Sequence, residues 1–347
     1  MFHKARLWER FRTKFESDKL SEMLRDVIGE DTTFGSDKLR TLLMMVLRNA
    51  TTDSPWPLSN NLAAKYNDIT HPGCNLKLPL WQLVRASTAA PTYFPPEVIH
   101  VDHDFIFVDG GVTMYNNPAF QLFLMATSEP YRLLWPTGEE KMLLISVGTG
   151  ASANANSNLS PEEMNLIYNA ATIPSALMAA ALHEQDFLCR IFGKCLAGDL
   201  LDGEVGTAIG QGIPNVLKLF TYVRYNAELS RQGLDALGLD HINPVHVQQM
   251  DSVDHIGEMQ EVGDVLAQPK SKGRTLRRVS CGELACLFKI STHMRWRGAF
   301  RICYIEAPIE ELELVAPILP PLEKRLCARQ FSGSFVPVWH PIAGWVV

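Results

Sequence analysis

Apolar residues fall at Leu20, Met23, Leu24, Val27 and Ile28, the spacing of one helical stripe. That pattern predicts an amphipathic helix over 18–28 with a single buried face. Thr41–Leu47 is continuously apolar and strand-sized, which predicts a strand covered on both faces, as in a parallel sheet under helices. Residues 51–77 are rich in Thr, Ser, Pro and Asn and read as a long loop. Leu78–Ala90 reads as a helix stopped by Pro91. Ile106–Val108 is a short strand running straight into Asp109, Gly110 and Gly111. Asn117 is placed to cap a helix opened by Pro118 and reaching about Thr127.

Further along, Met142–Val147 reads as a buried strand that exits into Gly148, Thr149 and Gly150. Residues 151–160 read as a flexible loop, and Ser160 with Pro161 and Glu163 is a helix start. The helix to about Phe192 contains Pro174, which predicts a kink or a division. Phe220–Tyr225 reads as a strand. Asn243 and Pro244 start a last helix, with Val247, Met250, Val253, Ile256 and Met259 on one stripe. Helices alternating with buried strands predict α/β layers.

Composition narrows the function classes. The chain has 347 residues, 46% hydrophobic and 20% charged, with 7 cysteines and a formal net charge of −6. It is too apolar for a disordered protein and too poor in cysteine for a disulfide scaffold. The acidic balance argues against a nucleic-acid partner. No apolar run reaches the roughly 20 residues of a membrane span, and no signal core follows the charged N-terminus, so a cytoplasmic location is expected. The cysteines lack CxxC spacing, so reduced thiols are the default. Charge shifts near 270: residues 271–347 carry 11 Lys+Arg against 6 Glu, and the rest carry 21 against 32 acidic residues. Three parts are expected, 1–150, 151–270 and 271–347.

The richest chemistry lies between Arg85 and Pro118. A carboxylate at the end of a buried strand, followed by two glycines, is either an ordinary tight turn or an exposed active-site acid. Asp-Gly-Gly alone favours the turn. The surrounding block changes that balance: Arg85–Pro96 reads RASTAAPTYFPP, Phe107–Val112 reads FVDGGV, and Asn116–Ala119 reads NNPA. The block closely resembles the patatin-like phospholipases. The likeness also takes in Asn49–Trp56, Ser146–Gly150, Tyr225–Leu229 and Asp251–Ile256, and spans roughly residues 1–270.

The resemblance implies a three-layer α/β fold with a mainly parallel central sheet covered by helices. It implies hydrolysis of acyl esters in phospholipids or related lipids, with transient contact at a membrane surface and no cofactor or metal. It also implies that Asp109 is the proton acceptor of a Ser–Asp dyad, acting without a histidine between. The family's serine sits in a Gly-x-Ser-x-Gly elbow, and its oxyanion donors in a Gly-rich loop. No Gly-x-Ser-x-Gly occurs in the 347 residues, and residues 1–108 hold only the isolated Gly29, Gly35 and Gly73. In the family both elements precede the helix and strand that here occupy 18–47. The expectation is a fold incomplete at its N-terminus, retaining Asp109 and lacking the nucleophile.

Two readings stay open: a hydrolase with little or no activity by itself, or a non-catalytic remnant that binds acyl lipid or complements a separate serine-bearing piece. Ser87 and Ser146 are weak substitutes for the nucleophile, because neither has elbow glycines. His100, Asp102, His103 and Asp104 imitate a metal cluster but fall at a turn. Gly148 and Gly150, with Ala153 in the third place, imitate a dinucleotide fingerprint but fit a strand exit. His183-Glu184 lacks the second histidine of a zincin, since Phe187 stands there. With the elbow strand missing, strand 41–47 is expected to expose an unpaired edge and to make the chain poorly soluble.

Overall fold

A computed structural model describes residues 13–152, 160–249, 251–267 and 302–306. The fold is mixed α/β, with helices layered on two four-stranded sheets. Helix α1 (Asp18–Ile28) forms where the stripe places it and buries Leu20 and Leu24. Strand β1 (Met44–Asn49) follows, then β2 (Ser54–Ser59), α2 (Leu80–Ser87), β3 (Glu97–His100) and β4 (Asp104–Asp109). The first sheet has the order β2-β1-β4-β3.

The apolar run at β1 is explained by its two faces. Met45 and Leu47 pack with Leu20 and Leu24 of α1, Leu83 and Val84 of α2, and Phe105 and Phe107 of β4. Met44 and Val46 point the other way, into a second core. Burying each such side chain contributes roughly 1.5–3 kcal/mol. The parallel setting expected for this strand does not occur: β1 pairs antiparallel with both β2 and β4. Burial on both faces produces the same apolar run whichever way the neighbours run. β2 pairs along all of β1, whereas β4 pairs only at Leu47–Asn49; on that side the Val46 carbonyl takes the Ser87 hydroxyl instead of a strand partner.

Strand β2 lies inside the stretch that reads as loop. Its sequence, Ser-Pro-Trp-Pro-Leu-Ser, carries Pro55 and Pro57. Proline has no N–H to give a neighbour and is confined to sheet edges. Spaced two apart, both prolines turn that deficit to the same side, and β2 is an edge strand.

Helix α3 (Ala119–Thr127) packs its Ala119, Leu122, Phe123 and Ala126 in the second core. That core joins Met44 and Val46 to Leu144 of β5 (Leu143–Val147), Cys189 of α4 (Leu166–Phe192), Cys195 of β6 (Lys194–Ala197) and Tyr222 of β7 (Thr221–Tyr225). The second sheet runs β6-β7-β5-β8, with β8 at Ile302–Glu306. Its β5–β7 and β6–β7 pairs are parallel, and β5–β8 is antiparallel. Among the strands of the described residues, parallel pairing occurs in this sheet alone, which takes strands from both sides of residue 150. Of the tail from 271, only β8 is described; the flexible loop expected at 151–160 falls largely outside the described residues.

Helix α4 runs through Pro174 without being divided. The single last helix expected from Asn243 is in fact two, one of 5 residues and one of 12. Helix α5 (Arg231–Ala236) precedes α6 (Pro244–Gln248), which Asn243 caps through its side chain, and α7 (Ile256–Ala267) follows a turn. Leu234, Ile242, Val247 and Val262 form the third apolar cluster. No helix among the described residues is long and apolar enough to cross a membrane.

Candidate functional site

Asp109 is the last residue of β4 and stands opposite Leu47 of β1. Its backbone N–H donates to the Ala89 carbonyl at 3.0 Å, which fixes the strand end against the segment leaving α2. Gly110–Val112 then forms one 3₁₀ turn, and the Asp109 carboxylate accepts the Gly111 N–H through Oδ1 at 2.5 Å. The side chain is half-buried. A carboxylate held by an amide at a strand end has its rotamer set before any ligand arrives.

The two glycines have separate reasons. A Cβ on Gly110 would stand 2.2 Å from the Val46 carbonyl oxygen, so the turn passes directly over β1. A Cβ on Gly111 would stand 2.9 Å from Asp109 Oδ1 and 3.2 Å from Asn116 Oδ1. Gly110 therefore lets the turn sit down on the sheet, and Gly111 makes room for the Asp109 carboxylate and the Asn116 side chain. Thr113 closes the turn, its hydroxyl donating to the Gly110 carbonyl at 2.7 Å.

The Asn116–Ala119 segment ties this turn to the second half of the molecule. Asn116 Nδ2 donates to the Met178 carbonyl of α4 at 3.1 Å. Asn117 Oδ1 accepts from Ala119 N–H at 3.3 Å, a weak form of the expected cap, and from the Ser146 hydroxyl at 3.2 Å. Arg224 Nη1 donates to Ser146 Oγ at 2.6 Å. Arg224 lies 3.5 Å from Asp186, which also takes a two-pronged contact from Arg190 and the Tyr222 hydroxyl. These buried polar groups brace β5, β7 and α4 behind the loop.

Neither substitute serine has elbow geometry. Ser87 is buried and its hydroxyl donates to the Val46 carbonyl at 2.7 Å. Ser146 is buried between Asn117 and Arg224. The remaining look-alikes resolve as turns. His100 pairs with Asp104 at 2.9 Å and His103 with Asp102 at 2.7 Å, as separate exposed contacts at the β3–β4 turn. Gly148 N–H donates to Tyr225 and Gly150 N–H to the Asn226 side chain, joining the exits of β5 and β7; Ala153 lies outside the described residues. Asn49 folds the β1–β2 turn by accepting the N–H groups of Thr51 and Thr52. Arg85 is wholly buried, donates to the Pro95 carbonyl and lies over the Phe94 ring, which braces the turn after α2.

The pairing of Gly110 with Val46, and of Ser87 with the same carbonyl, has no sign in the sequence. These groups meet only when strands far apart in the chain are placed side by side.

The chain is similar to a cGAMP-activated phospholipase of Vibrio cholerae serotype O1, 34% identical over 106 residues, which is 30% of this chain and 27% of that protein. It is also similar to Patatin group D-3 of Solanum tuberosum, 24% identical over 164 residues, 44% of this chain and 40% of that protein. The chain thus spans less than half the length of these curated relatives. Residues 2–123, which include Asp109, Gly110 and Gly111, match the model of the patatin-like phospholipase family.

Proposed function

We propose that this chain is the base-bearing part of a patatin-like lipid acyl hydrolase, in which Asp109 accepts the proton of a serine nucleophile. The observation that supports the reading most is the Asp109 turn. Its carboxylate is oriented by the Gly111 N–H, and the absence of a side chain at Gly111 makes the room that the carboxylate occupies. Asp109 would take the proton as the serine attacks the ester carbonyl, and would return it to the leaving alcohol. The substrate class is acyl ester of phospholipid or a related lipid. The reaction needs no cofactor and no nucleic acid, and the setting is cytoplasmic.

A membrane surface is the natural source of such a substrate. Leu166, Ile173 and Leu177 are strongly exposed and fall on one line of α4, within an arc of about 40° at 100° per residue. The same helix accepts the Asn116 bond beside the Asp109 turn. This places an apolar stripe on the element that borders the proposed base.

The 347 residues contain no Gly-x-Ser-x-Gly. Loss of a nucleophile costs on the order of 10⁶ in turnover in well-studied serine hydrolases, so the chain alone is expected to turn over little or no ester. The same absence favours the second reading, a non-catalytic partner that binds acyl lipid or complements a serine-bearing piece. Joining the chain behind a Gly-rich loop and elbow from a patatin-like relative tests the assignment. Ester hydrolysis that falls by more than about 10³-fold in Asp109→Asn supports the base role. Equal activity in the Asp109→Asn form overturns it, and a folded but inactive joined protein supports the non-catalytic reading.

A further inference from the structure

The C-terminal helices carry a cluster that the proposed acyl chemistry does not use. His246 on α6 faces Glu258 on α7, with Nδ1 at 3.1 and 3.0 Å from the two carboxylate oxygens. His255, the residue just before α7, places its own Nδ1 at 3.0 Å from the same carboxylate. The two imidazoles stack, with ring centroids 3.5 Å apart and 16° between the planes. One ligand atom from each residue can be chosen so that all lie within 4.8 Å of one another. About a third of each side chain reaches solvent: 34% of His246, 33% of His255 and 31% of Glu258.

The nearby His241–Glu261 contact is a useful contrast. It joins one imidazole to one carboxylate at 3.2 Å and is complete as an ordinary ion pair. At Glu258 two imidazoles converge on one carboxylate. The two Nδ1 atoms lie on the same side of the stack, both within reach of the one carboxylate. Donor atoms bound about 2.0–2.1 Å from an ion are separated by roughly 2.9 Å at a right angle and 3.3 Å at the tetrahedral angle. The nitrogen–oxygen separations here lie between those limits. Two imidazoles and one carboxylate suit borderline ions such as Zn²⁺, not the oxygen-seeking Mg²⁺ or Ca²⁺.

We propose that His246, His255 and Glu258 form a divalent transition-metal site that fastens α6 to α7. Water fills the remaining coordination position. An ion must lie in the plane of each ring, so one imidazole turns out of the stack on binding. Helix α6 has five residues and cannot hold itself together. Its buried Val247 shares an apolar cluster with Val262 of α7, and the ion adds a polar clamp across that same contact.

The full 347-residue chain, stripped with chelator, is titrated with Co²⁺ and with Zn²⁺ near neutral pH. The site predicts one ion per chain, visible Co²⁺ d–d bands without thiolate charge transfer, and a melting temperature that rises with free Zn²⁺. Glu258→Gln should weaken binding by more than the roughly 10–100-fold that loss of an outer-shell partner costs. His255→Gln should do the same. No binding, affinity unchanged in both variants, or an intense thiolate-to-cobalt band pointing to cysteine ligands would each overturn the site. The spectrum of the unaltered chain decides the donor set even if a variant fails to fold.

Discussion

The Val46 carbonyl oxygen occupies the place where a side chain on Gly110 would have to stand, 2.2 Å from an ideal Cβ. The same oxygen accepts the Ser87 hydroxyl at 2.7 Å. One backbone atom of β1 thus fixes both the turn that carries Asp109 and the end of α2.

Gly110→Ala is expected to destabilise more than Gly111→Ala. Backbone of a central strand opposes the first, whereas two side chains oppose the second. Overpacking of this kind costs about 1–3 kcal/mol, with Gly110→Ala at or above the upper end. Thermal or urea melting of the two variants measures the order, and equal losses would contradict the proposed close approach.

Asp109 is visible in the sequence because a short apolar strand ends on an acid and two glycines. The reason for those glycines is not visible, because Val46 lies far away in the chain and meets Gly110 only across the sheet. Helix α1 is legible from its stripe, since one helix face against one core leaves a clean period. Strand β1 is legible as buried but not as antiparallel, because neighbours of either direction demand the same apolar run. Strand β2 is hidden by Pro55 and Pro57, which argue for loop everywhere except at an edge. The break between α6 and α7 is hidden because Val247, Met250, Val253, Ile256 and Met259 keep a three-residue spacing across it.

Ser87→Ala removes the hydroxyl that satisfies a buried carbonyl. The expected loss is about 1–3 kcal/mol of stability, read from a urea midpoint. No esterase activity should be gained or lost. A change in activity at unchanged stability would give Ser87 a chemical role that its bond to Val46 does not allow.

Asp186 is the shared acid of Arg190, Arg224 and Tyr222, and is 3% exposed. Asp186→Ala strands two buried guanidinium groups and is expected to cost about 3–5 kcal/mol. Loss of cooperative melting in that variant fits the network; a change under about 1 kcal/mol does not.

Burial pushes the Cys195 thiol up to about 11, and burial also holds the Tyr222 phenol well above its usual value. Both groups then stay protonated in the fold at pH values where the unfolded chain ionises them. The unfolded state binds fewer protons in that range, so stability is full below about pH 9 and falls as pH rises towards 11. Urea midpoints between pH 8 and 11 should decline, and Cys195→Ala should flatten part of the decline. A flat profile in the unaltered chain would contradict the burial of both groups.

Replacing Leu166, Ile173 and Leu177 together by serine should leave melting nearly unchanged, because all three are exposed. Co-sedimentation with phosphatidylcholine vesicles should drop if the α4 stripe faces lipid. Undiminished sedimentation would remove that face from the account.

The most direct measurement is reaction of the 347-residue chain with a fluorophosphonate, followed by whole-protein mass. If Asp109 waits for a serine that this chain does not carry, the mass stays unshifted and no esterase activity is lost. Stoichiometric addition to one serine, mapped to a single peptide, would contradict the account.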